Sequence, residues 1–217
     1  MANLNRFGSG CRRSGTGGTL FRAVALHAAA FFMFAAGIRS NDQRQCLAEI
    51  VGRHKNNMRY WLMKSEPDEA SIDDALAAKD QTVAWTGVRN YQARNFMRDQ
   101  MQVGDGVLFY HSGCAEPGIA GIAEVASTCY PDLTQFDRKS PYHDPKASPE
   151  NPRWLLVDVR ALKKIRLIGL PELRAQAELV DMLVLRRGNR LSITPVTTQE
   201  WLHIVEKIAK AKKAPME

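Results

Sequence analysis

The chain has 217 residues, 45% of them hydrophobic, and a formal net charge of +7. That size and apolar content suffice for a real core, which excludes a wholly disordered or fibrous protein. Residues 1–57 carry eight arginines and lysines against Asp42 and Glu49, so +6 of the charge sits there and +1 remains for residues 58–217. This excludes a core that coats nucleic acid by bulk charge; binding there has to be local and shape-based.

Residues 7–19 are rich in Gly, Ser, Thr and Arg, have no hydrophobic period, and are expected to be disordered. Residues 23–38 are almost wholly apolar, but 16 residues fall short of the roughly 20 that span a bilayer. Arginines precede the run as in a signal peptide, yet His27 interrupts it and no small-x-small cleavage site follows. Three readings stand for residues 1–57: upstream sequence read through from an early start codon, a signal or anchor, and an ordered extension. The first is preferred, because Met58 opens a segment that behaves at once like the first strand of a domain spanning residues 58–217. Cys11, Cys46, Cys114 and Cys129 include no CxxC pair. Zinc is therefore not expected, and Cys114 and Cys129 read as reduced thiols of a cytoplasmic protein. No cofactor and no membrane partner are expected.

Residues 59–63 form a β-rich opening run that ends before Pro67. Ser71-Ile72-Asp73-Asp74 resembles a capping box and predicts a short helix through residue 78. Residues 83–85 read as a short extended piece. The period of Ala93, Phe96, Met97 and Met101 predicts a helix over 90–101, with Arg94, Asn95 and Arg98 on its other face and Asn90 suited to its N-cap. A turn at 103–106 leads to strands over 107–111 and 118–126. Gly118 to Ala123 reads as strand packing, since it lacks GxGxxG order and opens no helix. Residues 130–152 hold five prolines. The stretch is too long for a tight hairpin and predicts a functional or disordered loop. Alternation predicts a half-buried strand over 154–162. Gly169-Leu170-Pro171 opens a short helix, and Thr197-Thr198-Gln199-Glu200 is a second capping box. Trp201, Ile204, Val205 and Ile208 stripe the closing helix, and residues 207–213 are expected to fray. Irregular alternation of strands and helices favours an α+β fold, a curved or barrel-like sheet flanked by short helices.

Aromatics, small polar residues and arginines cluster in four runs, at 60–67, 85–94, 109–112 and 140–145. Rings to stack on, amides and hydroxyls to read edges, and guanidinium groups for a backbone are what grips a flat polar base beside a phosphate. Trp85 is the expected stacking wall, against the plain alternative of a core tryptophan. Asn90 either reads a base edge or caps its helix. Tyr110, His111 and Ser112 end a strand as candidate ligand contacts. Tyr142, His143 and Asp144 lie in the proline-rich loop, which could close over the site as a lid or second wall. Among Arg89, Arg94, Arg98, Lys139, Arg153, Arg186, Arg187 and Arg190, the four backed for phosphates are Arg89, Arg94, Arg153 and Arg190.

Taken together, the strings at 60–67, 85–97, 109–112, 117–125, Tyr130-Pro131-Asp132, 140–154, and Arg190-Leu191-Ser192 followed by Pro195 resemble the EVE domain of the PUA-like superfamily. They are similar to the bacterial EVE-domain proteins and the thymocyte nuclear protein family. The resemblance covers residues 58–206 and none of 1–57. It implies a β-barrel-like fold and a pocket that takes a base, a modified one above all, of DNA or RNA. A more distant likeness is to YTH domains, and it places Lys64-Ser65 and Trp85 at the pocket. Where the family usually has an acidic residue after that tryptophan, this chain has Thr86.

The favoured expectation is thus a non-enzymatic module holding a single-stranded or flipped-out base, with Lys64, Ser65, Trp85, Asn90, Tyr110, His111, Ser112, Tyr142 and Asp144 around it. The alternatives are an enzyme acting on nucleotides or modified bases through His111 or Asp144 as acid or base, and an adaptor for a small molecule or a protein.

Overall fold

β1 (Tyr60–Ser65) is the strand from which the fold is best described. It pairs in parallel with β3 (Gly106–His111), Tyr60 opposite Gly106, and antiparallel with β8 (Ile193–Val196), Tyr60 opposite Val196. β3 pairs antiparallel with β4 (Gly118–Val125), β4 with β7 (Asp158–Gly169), and β7 with β2 (Thr82–Ala84). The resulting mixed sheet of six strands has the order β2-β7-β4-β3-β1-β8. A computed structural model describes residues 58–210. The expectations on residues 1–57, with Cys11 and Cys46, and on the tail past Lys210 lie outside them.

Parallel pairing of β1 with β3 requires a crossover. It holds α1 (Ile72–Ala77), β2 and α2 (Tyr91–Asp99). α1 starts where the capping box places it: Ser71 Oγ accepts the Asp74 N–H while Asp74 accepts the Ser71 N–H. Between these helices and the sheet lies the core of Trp61, Met63, Ile72, Trp85, Ala93, Met97 and Phe109. The other face of β1 is also covered. Tyr60 stacks on Trp201 at 4.6 Å, in α4 (Thr198–Leu202), which starts at the Thr197–Glu200 capping box and continues as a π-helical turn. Burial on both faces explains why β1 and β4 read as apolar runs rather than alternations.

Two close fits fix the layers. The buried Asp105 carboxylate accepts the Trp61 Nε1–H at 2.9 Å, the Gln102 N–H at 3.0 Å and the Arg59 N–H at 3.1 Å, tying the entry of β3 to β1. At Gly121 a Cβ would stand 2.4 Å from Ile72 Cδ1, so only glycine lets α1 settle onto β4. Gly118 to Ala123 is strand, as expected.

The α+β class holds, and three elements differ from expectation. The strand expected over 154–162 is two pieces. β6 (Leu155–Leu156) pairs with β5 (Tyr130–Pro131) in a small separate ribbon, and β7 begins at Asp158. The chain changes partners at this point because Val157 O accepts the Trp85 N–H at 2.9 Å and Ser127 Oγ accepts the Asp158 N–H at 2.8 Å. β7 also runs on to Gly169, its charged Lys163, Lys164 and Arg166 hiding the period. β8 was missed because it contains Pro195. The strand is at the sheet edge and Pro195 is exposed, where no ladder donor is needed. After Arg166 and Gly169, α3 (Leu170–Arg174) is the short helix expected there. Among the described residues no helix is long and apolar enough to cross a membrane, and no group of three or more His, Cys, Asp and Glu is placed to hold a metal.

Candidate base-binding site

The segment of residues 85–90 connects β2 to α2, and its position is set by a buried carboxylate. Asp132 is fully buried and accepts the Gly87 N–H at 3.1 Å, Arg89 Nη1 at 2.8 Å, and Thr134 through both its N–H and its hydroxyl, at 2.9 and 2.6 Å. Burial alone would raise this carboxyl. The hydrogen bonds from Thr134, Arg89 and Gly87 together outweigh it and hold the group below its ordinary value. Gln135, also fully buried, takes the place of a strand neighbour for the returning chain. Its Oε1 accepts the Arg153 and Trp154 N–H groups at 2.9 and 3.0 Å, and its Nε2 donates to the Asp132 and Trp154 carbonyls. The loop of residues 130–152 is therefore ordered by two buried polar side chains, Asp132 and Gln135.

This arrangement revises Arg89. Its guanidinium bonds Asp132, the Tyr142 carbonyl (Nε, 2.9 Å) and Thr134 Oγ1 (2.9 Å), and its side chain is only 22% exposed. Its donors and its charge are already used inside the protein, so it positions the loop and does not stand ready for a phosphate. Gly87 has φ +80, and a Cβ there would lie 2.7 Å from Tyr142 Cζ, so the Tyr142 ring rests against the bare Gly87 backbone. The Tyr142 hydroxyl hydrogen-bonds Glu69; burial first and that bond second push its pKa to about 12. Tyr142 thus joins the loop after β1 to the segment that carries Trp85.

Trp85 itself is 5% exposed and packs edge-on against Phe109, ring centroids 5.1 Å apart. The open stacking wall expected from the sequence is closed in this state; the indole belongs to the core, where burial of its large apolar surface stabilises most. Tyr110, also expected at the pocket, is 3% exposed, and burial raises its pKa. Asn90 caps α2, its Oδ1 accepting the Gln92 and Ala93 N–H groups at 2.8 and 3.2 Å. Thr86 is exposed.

The end of β1 brings Lys64, Ser65, His111 and Ser112 together, since Lys64 is opposite Tyr110 and Ser65 opposite His111. Ser65 Oγ donates to the Ala70 carbonyl, and its own carbonyl accepts the Ser112 N–H at 2.8 Å. Lys64 is half-buried with no ion pair among the described residues, and desolvation lowers its pKa. His111 Nε2 accepts the Ile72 N–H at 3.1 Å, which fixes the neutral Nδ1–H tautomer, and burial lowers its pKa. The Ser112 hydroxyl points to the Ser65 carbonyl at 3.3 Å and not to His111. Asp144 accepts Trp154 Nε1 at 2.7 Å and the Lys146 N–H at 2.9 Å, with Arg153 at 3.3 Å; the Lys146 and Trp154 bonds lead in keeping its carboxyl ionised. Each candidate for acid–base work is occupied in holding the fold. Among the phosphate candidates, Arg153 faces Asp144, whereas Arg94 bonds only neutral oxygens, of Asn95 and of the Arg153 backbone, and Arg190 is exposed with no ion pair among the described residues.

The His111 arrangement has a pH consequence. A histidine whose folded pKa is lowered binds fewer protons folded than unfolded, so its contribution is complete above the ordinary value near 6.5 and falls as pH drops below it. Asp73 and Lys164 lie in its field with opposite effects. A His111→Gln protein, whose amide oxygen can still accept from Ile72, is expected to lose less melting temperature than the wild type between pH 7.5 and 5.5. Equal losses would show that His111 does not titrate on unfolding.

Asp132, Gln135 and Glu69 were not foreseen. Asp132 lies in the Tyr130-Pro131-Asp132 string, and its Asp-x-Thr spacing is the local signal of a side-chain turn; Gln135 and Glu69 give none.

A mixed sheet carrying this tryptophan segment and its covering loop is the architecture of a PUA-like domain. The EVE domain family matches residues 59–207, and the chain belongs to that family. It is 42% identical to thymocyte nuclear protein 1 of Homo sapiens over 164 residues, 68% of this chain and 72% of that protein. Among solved structures, a Pseudomonas putida protein is 49% identical with a TM-score of 0.64, covering 67% of this chain and 97% of its own. Human THYN1 in complex with DNA containing 5-methylcytosine is 40% identical with a TM-score of 0.66, covering 71% of this chain and 99% of its own.

Proposed function

We propose that this chain is a binding module, without turnover, that takes a modified base of DNA or RNA into the site around Trp85. The observation that carries the reading is its 40% identity to human THYN1, which was solved with DNA containing 5-methylcytosine. The base enters where Tyr142 rests on Gly87. That ring is held by its phenol–carboxylate hydrogen bond to Glu69 and by the Arg89 guanidinium 5.4 Å from its centre, and its departure uncovers the backbone next to Trp85. Lys64, desolvated and without a carboxylate partner among the described residues, supplies a donor and a positive charge for a base carbonyl. The acid–base alternative is weaker, because His111 and Asp144 already hold structural partners.

Magnitudes favour single strands. Flipping a base from a duplex costs a few kcal/mol, and each aromatic stack returns about 1–3 kcal/mol. Burying one methyl group adds about 0.8 kcal/mol, roughly a fourfold preference. With Arg94 and Arg190 as the phosphate contacts, the salt slope on single strands is expected to be near −1.4, at about −0.7 per contact. The test is titration of the full chain with single-stranded oligonucleotides that differ only in one 5-methylcytosine, in DNA and in RNA. Several-fold tighter binding of the methylated strand is expected, with nucleoside mass spectrometry finding the base unaltered. Equal affinity for both strands would overturn the pocket, and a converted base would overturn the absence of turnover.

A further inference from the structure

A second aromatic group stands apart from that site, at the start of α2. Tyr91 is 47% exposed. It stacks on Trp154 with centroids 4.9 Å apart and planes 30° from parallel, and Trp154 is 6% exposed and anchored by its Nε1–H to Asp144 at 2.7 Å. The Arg94 guanidinium lies 4.8 Å from the Tyr91 ring centre and that of Arg153 5.8 Å; Arg153 also donates to the Tyr91 hydroxyl. On the inner side, Arg89 is 5.6 Å from the Trp154 ring and 5.4 Å from that of Tyr142. Rings and guanidinium groups therefore form a continuous row, from Tyr142 on Gly87 through Arg89 and Trp154 out to Tyr91 at the surface.

Helix packing does not require this. α2 buries Ala93 and Met97 against the core, whereas Tyr91 leaves nearly half its surface in water. Holding an exposed tyrosine beside two arginines also costs side-chain entropy. Among the described residues Arg94 has no carboxylate partner: Nη1 donates to the Arg153 carbonyl at 3.0 Å, and Nε and Nη2 donate to Asn95 Oδ1. The result is a tyrosine ring packed on Trp154 beside a guanidinium that has no ion pair among the described residues.

We infer that Tyr91 and Arg94 form a second subsite, which takes the nucleotide adjacent to the inserted base. Its base stacks on Tyr91 in the place of the Arg94 guanidinium, which turns to pair with its phosphate. The row of rings leading to Tyr142 sets the direction of the strand, so this subsite rests on the pocket reading for which nucleotide occupies it. A flat ring plus a guanidinium selects a nucleotide by stacking and charge, with little preference among bases.

The test uses the full chain with two probes: the nucleoside 5-methyldeoxycytidine, followed by NMR shifts, and a pentanucleotide with one central 5-methylcytosine. Tyr91→Ala is expected to weaken the pentanucleotide about 5- to 150-fold and to leave the nucleoside unchanged. Tyr91→Phe keeps the stack and is expected to bind the pentanucleotide as the wild type does, while Arg94→Gln lowers the salt slope by about 0.7. Abasic residues flanking the central base are expected to remove the Tyr91→Ala effect. Unchanged pentanucleotide affinity in Tyr91→Ala, with methyl preference intact, overturns the subsite and keeps the pocket. Loss of pentanucleotide affinity in a protein with no methyl preference overturns the pocket and keeps the subsite. Failure of the wild type to bind either probe overturns both.

Discussion

Replacing Asp132 with alanine is expected to destabilise the protein by about 3 kcal/mol. The carboxylate is fully buried and receives Gly87, Arg89 and Thr134. Its removal leaves a part-buried amide without an acceptor and a mostly covered guanidinium without a counter-charge, and breaking one side of such a pair costs more than the pair is worth intact. Arg89 keeps some solvent access, which places the loss at the lower end of the range for buried pairs. For a domain of this size the melting temperature is expected to fall by about 10 °C. Asp132→Asn keeps an oxygen for Gly87 and is expected to lose less. The folded carboxyl is held below its ordinary value, so its stabilisation is complete above the usual carboxylate range and is lost as pH falls through the folded value. The gap between wild type and Asp132→Ala is therefore expected to narrow in acid. Urea unfolding at pH 7 and pH 3 measures both effects. Equal stability of the two proteins at pH 7 would show that the segment of residues 85–90 does not depend on this carboxylate.

Trp85→Ala is expected to cost about 3–5 kcal/mol, the range for a large buried aromatic. The indole is 5% exposed, and Phe109 would lose its edge contact. A loss of that size can unfold a domain of ordinary stability, so binding is to be measured well below the melting point of the variant, with Trp85→Phe in parallel. Phenylalanine retains a ring for both the core and a stacked base. The expected result is that Trp85→Ala no longer distinguishes methylated from unmethylated oligonucleotides while Trp85→Phe still does. If Trp85→Ala is destabilised but keeps the methyl preference, the indole is core alone and the base sits elsewhere.

Much of the fold was legible because it follows from local chemistry. Ser71 and Thr197 announced their helices through capping boxes, Asn90 announced α2, and apolar runs marked β1, β3 and β4. What was hidden depended on contacts distant in sequence. The break at Val157 arises from a hydrogen bond to Trp85, and β8 is a strand only because β1 lies beside it to be paired. The site shows the same division. Residue type identified Trp85, Tyr142 and the end of β1 as neighbours of one region. It could not show that Arg89 would be bound to Asp132, 43 positions away, or that Tyr142 would stand on Gly87. Charge type suggested a phosphate ligand, and only the partner revealed a structural cation.

The placement of β1 between β3 and β8 also governs the order in which the molecule can be made. Tyr60 meets its parallel neighbour at Gly106 and its antiparallel neighbour at Val196. Pairings so far apart form slowly, because the intervening chain must be closed before they contribute. On the ribosome, β1 would emerge before the other strands of this sheet and wait for residues 193–196 before its outer edge is covered. Until then an apolar strand with unsatisfied amides faces the cell, a period during which chaperone capture or sticking to another nascent chain competes with completion of the sheet.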